Sequence, residues 1–123
     1  MNRDKGETLQ GKERIGKQGD IKRLFERGKR YHSKQYTLIL LQNGLDWLRL
    51  AVSISRKVGG AAVRNYEKRV CREFFRKEKH RFHKGFDVLI IVKSKTDNFH
   101  RSYAELKGLF NRGFHVNLTH CEE

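Results

Sequence analysis

The stretch RKVGGAAVRNYEKRVCREFFRKEKHRFHK, residues 56–84, decides how the chain is read. Gly59-Gly60 ends whatever extended segment precedes it, and from Ala62 to Phe82 the apolar residues recur at helical spacing. Val70, Cys71, Phe74, Phe75 and Phe82 gather within about 140° of the helix circumference, a face suited to burial. On the same wheel Arg64, Lys68, Arg69, Arg72, Arg76 and Lys79 share a second arc of about 140°. The segment holds 11 Lys/Arg and 3 acids, so it carries +8 of a formal net charge of +14. Arg64, Lys68, Arg72 and Arg76 recur every fourth residue, about 6 Å of helix rise apart, which is near the spacing of phosphates along a strand. A face that served only solubility would mix signs in i,i+4 pairs, whereas Glu67, Glu73 and Glu78 fall outside the basic arc. Such a strip points to a polyanion whose backbone is followed rather than read, with Asn65 placed to hydrogen-bond a base edge or a 2′-hydroxyl.

Upstream, Tyr36 to Leu41 and Leu48 to Ser55 have strand character, and Gln42-Asn43-Gly44 between them predicts a hairpin turn. In the second strand Leu48, Leu50, Val52 and Ile54 alternate with Arg49, Ala51, Ser53 and Ser55, as half-burial requires. A shorter strand around Tyr31 to Ser33 is only weakly signalled. Asp20 predicts the cap of a short helix with Ile21, Leu24 and Phe25 on one face and Gly28 past its end. Downstream, DVLIIV, residues 87–92, suits a central strand covered on both sides, and Phe99, Tyr103, Leu106, Phe110 and Phe114 line one face of a last helix. The chain thus predicts a single-domain α+β fold with helices on a small mixed sheet over residues 19–114. Residues 1–18 are expected to form a flexible basic arm, and residues 115–123 a loose tail.

A chain of 123 residues with 37% hydrophobic content supplies one modest core. Its charge favours nucleic acid, and without an apolar anchor a membrane is not expected as partner. The N-terminus lacks the apolar run of a secretory signal, and two cysteines 50 residues apart suggest a reducing compartment, so a cytoplasmic location is expected. No carboxylate cluster or recognisable zinc spacing emerges, so no catalytic residue and no protein-bound metal are expected.

The motif Arg56-Lys57-Val58-Gly59, Ala61-Ala62-Val63-Arg64-Asn65, Lys68-Arg69, Arg72-Glu73, Phe75-Arg76 resembles the signature of the bacterial ribonuclease P protein. The resemblance extends over roughly residues 18–114, including Phe25-Glu26-Arg27-Gly28 and DVLIIV. It implies an α-β-β-β-α-β-α order with a left-handed βαβ crossover, similar to a ribosomal-protein domain. It also implies a subunit that binds a catalytic RNA and the 5′ leader of precursor tRNA, with cleavage carried out by the RNA and its Mg²⁺. Carried onto this chain, the RNA contacts are Arg56, Lys57, Arg64, Asn65, Lys68, Arg69, Arg72 and Arg76, and the leader cleft is Ile21, Phe25, Tyr36, Leu38 and Ile39. Ile21 and Ile39 stand where the family often has aromatics. Gly60, Ala62 and Glu67 stand where asparagine, valine and an apolar residue are usual. The competing reading is a protein that binds ribosomal RNA; a DNA-binding role lacks any helix-turn-helix spacing.

Overall fold

The structure, a computed structural model, describes the backbone of residues 11–122 and the side chains of residues 11–114. Its elements are α1 (Gln18–Arg27), β1 (Lys29–His32), β2 (Tyr36–Gln42), β3 (Arg49–Ile54), α2 (Ala61–Glu78), β4 (Phe86–Val92) and α3 (Phe99–Glu122). A 3-10 turn, Lys79–Arg81, closes α2. The order is the one the resemblance implied, with β1 a strand in its own right.

The sheet runs β1-β2-β4-β3. β1 and β4 both pair antiparallel to β2, and β3 pairs parallel to β4. The hairpin expected between β2 and β3 therefore does not form, because β4 lies between them. DVLIIV is apolar toward both faces, and only a central position buries both sets of side chains. The turn residues instead brace the start of β4: the Asn43 amide donates to Gly85 O at 2.8 Å, and Gly44 and Gly85 both take positive φ.

Alternation divides the strands into two cores. Tyr36, Leu38, Leu40, Leu50, Val88, Ile90 and Val92 meet Val70, Cys71, Phe74 and Phe75 of α2 and Leu106, Leu109, Phe110 and Phe114 of α3. Each fully buried phenylalanine here contributes about 1.5–3 kcal/mol. On the opposite face Ile39 and Leu89 pack against Leu24 of α1 and Ile15. Gly28 permits that approach, since a Cβ there would lie 2.3 Å from Ile39 Cγ2 and 2.6 Å from Leu24 O.

Two boundaries move. Of the expected arm, residues 1–10 lie outside the described residues, but Gly11 to Ile15 belong to the domain. Arg14 bridges Leu50 in parallel, the Ile15 amide donates to Leu50 O at 3.0 Å, Trp47 Nε1 donates to Lys12 O at 2.8 Å, and Glu13 pairs with Lys79. Free sheet edge at β3 and a space beneath α1 that Ile15 fills give this segment partners that composition does not reveal. At the other end the backbone of α3 continues to Glu122, past the boundary expected at Phe114. Asp20, expected as a cap, sits inside the first turn of α1, where it faces Arg23 and Arg49, and Lys17 takes the cap position.

Candidate nucleic-acid interface

Helix α2 buries Val70, Cys71, Phe74 and Phe75 and turns Asn65, Arg69 and Arg72 outward, with Arg64 and Lys68 half-buried at the margin. Lys68, Arg69 and Arg72 face no acid within ion-pair distance among the described residues. Neighbouring unit charges 6 Å apart repel by about 0.7 kcal/mol even in bulk water, so an arriving polyanion relieves the strip. Arg64 Nε donates to Gly59 O at 3.2 Å, which folds the preceding loop onto the helix. Arg56 and Lys57, both exposed, stand on that loop after β3.

Arg76 differs from its neighbours. Its guanidinium donates to Glu73 Oε2 at 2.7 Å, and Lys77 Nζ lies 3.4 Å from the same oxygen, so this end of the strip is internally compensated. Those cations, the hydrogen bond from Arg76 foremost, hold the Glu73 carboxyl below its ordinary range. Glu67 is not a surface acid at all: it is 1% exposed and accepts from the backbone N–H and hydroxyl of Thr96. Burial pushes the Cys71 thiol up, which keeps it protonated and inert.

The second predicted surface needs correction. Tyr36 and Leu38 point to the face under α2 and α3, and Ile39 lies sealed beneath α1, so none of the three is accessible. Of the predicted cleft residues, Phe25 is 41% exposed and Ile21 half-buried. Beside Phe25 stands Arg30 of β1, which belongs to the outer sheet face. Register sets His32, Thr37, Ile91 and Ser53 side by side across the strands, and Arg30 one row away. The Arg30 guanidinium lies 5.6 Å from the Phe25 ring centroid, and His32 Nδ1 lies 3.0 Å from Thr37 Oγ1. The signal for this row was available, since Thr37 is the one polar residue among Tyr36 to Leu41 and marks the outward parity.

Among the described residues no group of three His, Cys, Asp or Glu side chains could hold a metal ion, and no helix is long and apolar enough to cross a membrane. A helix whose Lys68, Arg69 and Arg72 have no acid partner among the described residues defines a protein built to hold polyphosphate. A family model described as Ribonuclease P matches residues 9–114. The ribonuclease P protein component of Syntrophus aciditrophicus is 38% identical over 99 residues, covering 80% of this chain and 82% of the relative. That of Thermotoga maritima is 35% identical over 96 residues, covering 77% and 82%. The solved Thermotoga maritima RNase P protein superposes with a TM-score of 0.72 at 30% identity, covering 81% of this chain and 96% of its own. The Staphylococcus aureus RNase P protein gives 0.77 at 27% identity, covering 82% and 94%. The chain belongs to the ribonuclease P protein family.

Proposed function

We propose that this chain is the protein subunit of a cytoplasmic ribonuclease P, which docks α2 and its preceding loop on the catalytic RNA and holds the precursor tRNA leader on the open sheet face. The observation that carries this reading is the strip Lys68, Arg69 and Arg72, without an acid partner among the described residues, on a helix whose reverse is locked in the core. Arg56 and Lys57 extend the strip toward the sheet end, and Arg64 and Asn65 lie between. Arginine forks there can take phosphate oxygens in pairs, and lysines add point charge. On the other side, Phe25 offers a ring on which a leader base stacks, with Arg30, His32 and Ser53 supplying polar contacts that tolerate any sequence.

The chain's own part is electrostatic and geometric. Its cations offset phosphate repulsion where RNA, tRNA and leader converge, and hydrolysis belongs to the RNA with RNA-bound Mg²⁺. The test is reconstitution with a ribonuclease P RNA and a precursor tRNA at low Mg²⁺, with and without the chain. Stimulation by the parent, abolished in an Arg64, Lys68 and Arg72 triple alanine variant, is the expected result. Equal cleavage with and without the chain would overturn the reading.

A further inference from the structure

We propose that Glu67 is a positioning residue that clamps the cationic helix to the segment between β4 and α3, so that Lys95, Arg101 and Lys34 continue the RNA surface begun on α2. The inference rests on the RNA-docking role given above and adds to it both a clamp and a second patch of phosphate-binding side chains.

A carboxylate buried inside an RNA-binding helix needs a reason, because a buried charge left without partners is strongly destabilising. Glu67 has its partners on a different element: Thr96 donates from its backbone N–H at 2.5 Å and from Oγ1 at 2.7 Å. The hydrogen bonding continues inward. Gln35 Nε2 donates to Thr96 Oγ1 at 3.2 Å and to Ser94 O at 2.9 Å, and Ser102 Oγ donates to Gln35 Oε1 at 2.6 Å. One side chain of α2 is thereby joined to the start of β2, to the segment after β4 and to the first turn of α3. Gln35 and Ser102 are themselves buried, so the network is sheltered from water. An apolar residue at 67 would fill the same space but could not hold Thr96 in place.

The held segment carries charge. Lys34, Lys95 and Arg101 line a crevice of about 120 Å³ together with Asp97 and Glu105. Glu105 is held in place by accepting from Ser33 Oγ and the Gln35 amide, so the crevice sets three cations against two acids. On the helical wheel Arg64 and Lys68 lie to the same side of Glu67, at about 60° and 100°, so the clamp sits on the buried face next to the edge of the strip. Fixing Thr96 fixes where Lys95 and Arg101 stand relative to that strip. The partner this composite surface fits is an RNA backbone, since the cations of this crevice stand on different elements from those of α2 and so offer a second place for phosphate.

The experiment is a salt titration of full-length chain binding to a ribonuclease P RNA. Replacing Lys95 and Arg101 together by alanine is expected to lower the slope of log K against log salt by about 0.9 for each phosphate that is no longer neutralised. In Glu67→Leu and Glu67→Gln backgrounds the same alanine pair is expected to change the slope little, because the patch is already displaced. A merely structural Glu67 would shift stability yet leave the alanine effect intact, and that additive result overturns the proposal. So does an alanine pair that is silent in the parent. Glu67→Gln is nearly isosteric and carries the comparison should Glu67→Leu not fold, with Trp47 fluorescence reporting the fold. Arg72→Ala separates the two levels: unchanged binding sinks the RNA reading itself, whereas weakened binding with inert Lys95 and Arg101 sinks only the clamp.

Discussion

Arg49 grips Asp87 at both carboxylate oxygens, Nε to Oδ1 at 2.8 Å and a terminal nitrogen to Oδ2 at 2.7 Å, across the parallel pairing of β3 with β4. Asp20 of α1 stands 3.4 Å from the same guanidinium, and Asn43 Nδ2 donates to Asp87 Oδ1 at 2.8 Å. The fork thus ties the central strand to an edge strand, a turn and the helix that bears Phe25. Asp87→Ala leaves the guanidinium with only its longer interaction with Asp20. The expected destabilisation is about 2–3 kcal/mol, below the range for a fully buried pair because Arg49 keeps some solvent. A lower urea midpoint at unchanged m-value measures it.

Arg72 and Arg76 are one turn apart on α2 yet predict different behaviour. Arg72→Ala should weaken binding to a ribonuclease P RNA across salt concentrations and reduce the log K against log salt slope by about 0.9. Arg76→Ala should change the slope less, because Glu73 already shares that guanidinium. Filter binding over a salt series compares them, and equal slopes would contradict the compensation seen at this end of the strip.

Phe25→Ala should weaken binding of precursor tRNA to the holoenzyme by about 1–3 kcal/mol, the range for one base stacked on an aromatic ring. Mature tRNA, which has no leader, should bind as before. Comparing the two substrates with parent and variant decides the matter. A Leu38→Ala chain gives the control: its side chain is fully buried against α2 and α3, so it should lose stability by about 2–5 kcal/mol without a selective effect on the leader.

Tyr103 and Glu78 share a hydrogen bond of 2.7 Å that shapes stability at both ends of the pH scale. The hydroxyl's hydrogen bond, ahead of the Arg81 interaction, holds the Glu78 carboxyl below its ordinary 4.5. A depressed carboxylate contributes stability above its unfolded value, and that contribution disappears as pH falls below about 4.5 through the folded value. Burial first, and the Glu78 bond second, push the Tyr103 hydroxyl up from 10.0 to about 12. A raised hydroxyl contributes below its unfolded value, so stability declines as pH rises through that interval. Tyr103→Phe should flatten both limbs in thermal melts taken from pH 3 to 12, and unchanged limbs would show that the pair has no such role.

Helix α2 is legible in the sequence, because Val70, Phe74 and Phe75 against Lys68 and Arg72 leave a single amphipathic solution. The partner of β2 is not. Strand neighbours are chosen by which segment buries most apolar surface, and β2, β3 and β4 each offer an acceptable edge to the others. Parity along β2 is hard to read for a related reason, since Tyr36, Leu38, Ile39, Leu40 and Leu41 are apolar on both faces and Thr37 alone marks the outward side. The leader cleft carried over from the resemblance accordingly drew on both parities, Tyr36 and Leu38 from one and Ile39 from the other. The Gly11 to Ile15 segment gives little signal because its one apolar residue, Ile15, gains a partner only after α1 has been placed. The place of Glu67 within the apolar arc signals its burial, but nothing signals its hydrogen-bonding partner, Thr96, which lies 29 residues away.

The central position of β4 also sets the order in which the molecule can be assembled as it is synthesised. The β1–β2 hairpin is local and can close early, but β3 has only the Arg14 bridge beside it, and α2 no complete floor, until Val92 has been added. Until then the nascent chain carries nearly all of its cationic helix without a folded scaffold, a sticky state beside the ribosomal RNA of the particle that makes it. Long-range closure of this kind slows folding relative to a helical bundle of equal length. The strand that completes the sheet therefore also ends the interval in which the chain's charge is unshaped, and it cannot do so before about three quarters of the 123 residues have been made.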